Sequence, residues 1–124
     1  MKQKLIGTSV LTIIFFLFSF ATFANKTSVK IDAPEKAKIG TEVTIKIEVK
    51  HIGNTSKHYT DWVVVKINGE EYKKWEYTSE NLPNEQNFEL SFKVKVEKNM
   101  EISAEGHCNK HGSKGIDKIN ITAE

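Results

Sequence analysis

The chain is predicted to be all-β, an antiparallel two-layer sandwich, and three observations carry that prediction. Several runs alternate apolar and polar residues with period two, an Asn-Gly pair separates two of them, and residues 25–124 hold no segment of helical period. Seven short runs in about 100 residues fit one sandwich of immunoglobulin-like type with about seven strands, although the Cys–Trp–Cys pattern of antibody domains is absent.

In chain order, the first run is a shorter one at 28–32. In 42–51, Val43, Ile45, Ile47 and Val49 alternate with Thr44, Lys46, Glu48 and Lys50, as a half-buried strand requires. Residues 59–67 and 70–77 flank Asn68-Gly69, a pair suited to the positive φ angles of a two-residue hairpin turn. Phe88, Leu90, Phe92, Val94 and Val96 repeat the alternation, 101–106 form a shorter run, and Ile119, Ile121 and Ala123 give the last. Trp62 and Trp75 flank the hairpin and are expected to pack at the core or its rim.

Ahead of these runs, residues 1–24 read as a signal peptide. Lys2 and Lys4 form a basic start, and an apolar stretch runs from Leu5 to Phe20. It ends in Ala21-Thr22-Phe23-Ala24, which sets the small residues Thr22 and Ala24 at minus three and minus one for a cut after Ala24. The mature chain is then 25–124, periplasmic or secreted. The alternative is a membrane anchor, since 5–24 uncleaved is about long enough to span a bilayer. Removing 1–24 takes away two lysines and no acid, which leaves 16 of each and no net charge. Arginine is absent throughout, so the bidentate fork that grips phosphate and base edges is missing and no nucleic-acid partner is expected.

All four histidines and the sole cysteine fall in two short segments, both expected to be loops. His51 and His58 bracket one connection; His107, Cys108 and His111 lie in Gly106-His107-Cys108-Asn109-Lys110-His111-Gly112, where the two glycines are expected to free the turn. A Cys-x-x-His turn lets a thiolate and an imidazole reach one ion. Strand parity strengthens the grouping: His51 continues the inward row of Val43 to Val49, and Cys108 continues Ile102, Ala104 and Gly106. His107 faces the other way and is the weaker candidate. Such donors suit iron, zinc or copper. Copper is the minor option, because the only methionine after residue 24 is Met100, upstream of the turn. A third reading is an adhesive or carrier sandwich whose Cys108 bonds a partner.

These segments resemble the iron-binding domain of the desulfoferrodoxin, neelaredoxin and superoxide reductase family. The resemblance rests on Ala33-Pro34-Glu35-Lys36, on the paired-histidine stretch from His51 to Trp62, and most specifically on Cys108-Asn109-Lys110-His111-Gly112. It implies an immunoglobulin-like sandwich holding one Fe2+/Fe3+ ion, with His51, His58 and His111 as planar ligands and Cys108 as the axial one. It further implies reduction of superoxide to hydrogen peroxide, an electron donor of unspecified identity and, as an option, a homo-oligomer. The alternative on the same fold is a non-catalytic metal-binding or electron-transfer module carrying zinc or copper. Two departures mark the chain as divergent. Six residues separate the paired histidines, one more than is usual in the family, and Asn25-Lys26-Thr27 stands where the family carries Glu-Lys-His.

Overall fold

A computed structural model describes residues 25–124; the expected signal segment, 1–24, lies outside the described residues. The alternating runs form β1 (Ser28–Asp32), β3 (Glu42–Lys50), β4 (Thr60–Ile67), β5 (Glu70–Glu76), β6 (Asn87–Lys95), β7 (Met100–Cys108) and β8 (Ile116–Ala123). An eighth strand, β2 (Lys36–Ala37), has two residues and is too short to leave a periodic trace in the sequence. Two sheets result, one ordered β1-β3-β6 and the other β2-β8-β7-β4-β5. Pairing is antiparallel except between β2 and β8.

Parity decides what lies between the sheets. Ile45, Ile47 and Val49 from β3 meet Val63 and Val65 from β4, Ile102 and Ala104 from β7, and Ile121 from β8, all buried. Each fully buried aliphatic side chain of this size contributes about 1.5–3 kcal/mol of transfer free energy. The turn between β4 and β5 takes positive φ at both Asn68 (51°) and Gly69 (84°), as a type I′ hairpin demands. Trp75 packs against the core, with its ring 6.2 Å from that of Phe92.

Two expectations need correction. His107 and Cys108 are not in a loop: they are the last two residues of β7, held by pairing with β4. Gly106 is not there for turn freedom either, since it lies inside that strand. A Cβ at Gly106 would stand 2.7 Å from Thr27 Cγ2 and 3.0 Å from Val29 Cγ1, so the glycine admits the start of β1 against the second sheet. Gly112 does serve the turn, with φ of 81°. Gly106→Ala is therefore expected to lower unfolding free energy by about 1–3 kcal/mol through overpacking, measured by denaturant titration.

Candidate metal centre

The centre lies at one end of the sandwich, where the inward rows of β3 and β7 run out. His51 follows β3 directly and is 2% exposed; Cys108 ends β7 and is fully buried. His58 comes from the 52–59 connection and is half-buried, and His111 comes from the turn after β7 and is exposed. The donors therefore grade from a buried floor to an open rim.

Two asparagines hold these segments in place. Asn54 Oδ1 accepts the Thr60 main-chain N–H (2.9 Å), while its Nδ2 donates to the Glu85 carbonyl (2.8 Å). Those two bonds fix which way the amide points. His51 Nδ1, 2.7 Å from the same Oδ1, must then be the protonated nitrogen, which leaves Nε2 with a lone pair. Asn109 ties the other loops together: its Oδ1 accepts from Tyr59 N (2.9 Å), its own N–H donates to Tyr59 O (3.0 Å), and its Nδ2 donates to Lys57 O (3.3 Å). Reciprocal 2.9 Å bonds between the Cys108 and Gly112 main chains close the last turn.

The ligand atoms of His51, His58 and Cys108 all lie within 4.8 Å of one another. His51 Nε2 is 3.2 Å from His58 Nε2, and His58 Nε2 is 3.1 Å from His111 Nδ1. His111 Nδ1 is 3.9 Å from Cys108 Sγ. Two nitrogens each about 2.1 Å from one ion stand about 3.0 Å apart at a right angle and about 3.4 Å apart at the tetrahedral angle. The separations fit a shared ion, and the donor set suits it. His58 is held below the ordinary imidazole range, chiefly by burial and next by neighbouring His51, which favours the neutral, ligating form.

Other residues stand as follows. His107 turns away from the cluster, with Nδ1 2.7 Å from Asp61 Oδ1 and its ring stacked on Trp62 at 4.8 Å. Trp62 thus packs on an imidazole rather than in the core. Thr27, where the resemblance places a family histidine, is buried and bonded through Oγ1 to Thr60 Oγ1 (3.0 Å). The burial of Cys108 also weighs against its use as a displayed carrier thiol. A cavity of about 320 Å³ beside His51 is lined by Lys26, Lys50 and Lys114 with no carboxylate. Sequence reasoning missed Asn54 and Thr60; the signal available for Asn54 was its place three residues after His51, within reach of the ring.

Residues 20–114 match the family described as desulfoferrodoxin. No protein of curated function matches significantly. Among solved structures, the chain is similar to a superoxide reductase (neelaredoxin) from Ignicoccus hospitalis, at 22% identity and a TM-score of 0.67 over 80% of this chain and 83% of that one. It is also similar to the CARDB domain of a Pyrococcus furiosus protein in complex with di-metal ions, at 18% identity and 0.63 over 79% and 87%. A third is the sulfur carrier protein SoxY from Chlorobium limicola, at 13% and 0.58 over 84% and 90%. At these identities the likeness is one of fold.

Removing the Asn54 side chain frees the His51 ring and orphans the Thr60 N–H. Asn54→Ala is expected to weaken metal binding about 10–100-fold, read by competition with a chromophoric chelator.

Proposed function

The chain belongs to the desulfoferrodoxin family, and on that footing we propose that it is an exported mononuclear iron protein that reduces superoxide to hydrogen peroxide. The observation that carries this reading is the convergence of His51, His58 and Cys108, with His111 at the rim. In this reading the three imidazoles and the Cys108 thiolate hold the metal on an immunoglobulin-like sandwich. When bound, a ferrous ion supplies the single electron that, with two protons, converts superoxide to hydrogen peroxide.

The chain's own residues account for the rest. Asn54 keeps the His51 proton on Nδ1, so Nε2 would be free to hold the ion. Burial of Cys108 removes its sulfur from solvent and competing oxidants. The exposed rim at His111 leaves the approach open, and Lys26, Lys50 and Lys114 around the cavity beside His51 add positive charge to that end of the sandwich. Export is supported by the basic start, apolar stretch and small-residue ending of 1–24.

Thr27 in place of a family histidine favours a second reading, a zinc- or copper-bearing module without catalysis. Anaerobic loading with Fe2+ followed by stopped-flow mixing with superoxide separates them. Rapid consumption without oxygen release is expected; decay no faster than spontaneous dismutation, or zinc as the metal of protein from its native host, would favour the second. Cys108→Ser should abolish the visible thiolate-to-ferric absorption band of the oxidised protein, checked by absorption spectroscopy.

A further inference from the structure

Thr27 stands where the resemblance places a histidine, and its hydroxyl is turned to Thr60. With His107 facing away, the described side chains leave the centre one nitrogen donor short of the family's set. The segment that carries Thr27 nevertheless runs beside the donors. Thr27 forms a parallel bridge with Ser113, its N–H donating to Gly112 O (3.4 Å) and its carbonyl accepting from Lys114 N–H (2.9 Å). It is thereby fixed next to the turn that presents His111. Two residues upstream, at most about 7 Å along the chain, Asn25 is half-buried. There the His58 ring makes a hydrogen-bonding contact with the Asn25 main chain, of the sense that favours the charged ring, so the partner is the carbonyl as acceptor. His58 Nε2 is in turn 3.2 Å from His51 Nε2 and 3.1 Å from His111 Nδ1. The Asn25 main chain therefore borders the donor cluster.

Asn25 is also the residue that a cut after Ala24 would expose. Before the cut its nitrogen belongs to a planar amide, whose lone pair is delocalised into the neighbouring carbonyl, and such a nitrogen is a poor donor to a metal. Hydrolysis adds water across that bond, leaving the carboxyl group on Ala24 and a primary amine on Asn25. The lone pair of the amine is localised. Standard backbone geometry sets the nitrogen and carbonyl oxygen of one residue about 3 Å apart, close enough for an N-terminal residue to hold one ion with both.

Building on the reading of this chain as an exported metal protein, we propose that the α-amine of Asn25, freed by removal of residues 1–24, supplies the missing nitrogen donor of the centre. The amine takes the place of the absent histidine, and the anchoring of Thr27 to Gly112, Lys114 and Thr60 holds it at the cluster. The unprocessed chain lacks this donor, so it holds metal more weakly and loading follows export.

Anaerobic Fe2+ binding tests this on two forms of 25–124, one beginning at Asn25 and one with Gly-Ser-Gly added ahead of it. Circular dichroism checks that both are folded. The extended form is expected to bind Fe2+ at least about tenfold more weakly in competition with a chromophoric chelator, since a lost donor costs no less than a lost supporting bond. An amine-reactive label, located by peptide mass spectrometry, gives a second readout: Fe2+ should protect the Asn25 α-amine while the lysines still react. The intact mass of protein exported from the full chain should place its first residue at Asn25. Equal affinity of the two forms, an Asn25 amine labelled as fast with Fe2+ as without it, or an exported chain that starts elsewhere would overturn the assignment and leave the metal-protein reading standing. No Fe2+ binding by either form would overturn both.

Discussion

The centre depends on one constraint: the inward rows of two strands in opposite sheets end at the same level. Side chains alternate along a strand, so burying Ile45, Ile47 and Val49 commits His51 to the inside. The same rule carries Ile102, Ala104 and Gly106 on to Cys108. Packing of the two sheets then brings an imidazole and a sulfur together at the sandwich end. A one-residue slip in either strand would turn its donor to solvent.

Around that pair the loops need only modest support, and asparagine side chains supply it. Asn54 and Asn109 bond main-chain groups on neighbouring segments, so His58 and His111 are presented by loops pinned at several points. Asn54 also sets the proton position of His51. The outer donor His111 remains exposed while His51 and Cys108 are enclosed.

Much of this is legible in the sequence because parity is a local rule. All seven expected strands form, and the facing of His51, Cys108 and His107 follows from counting residues. The two-residue β2 is not legible, since it has no period to read. The reason for Gly106 is a long-range contact with Thr27 and Val29, which no local pattern reveals. The role of Asn54 is hidden for the same reason: its partners Glu85 and Thr60 lie on other segments.

X-ray absorption at the metal edge of the iron-loaded protein tests the central claim most directly. The account predicts one sulfur scatterer at about 2.3–2.4 Å together with imidazole nitrogens near about 2.1 Å. A shell of nitrogen and oxygen alone, with no sulfur, would contradict it.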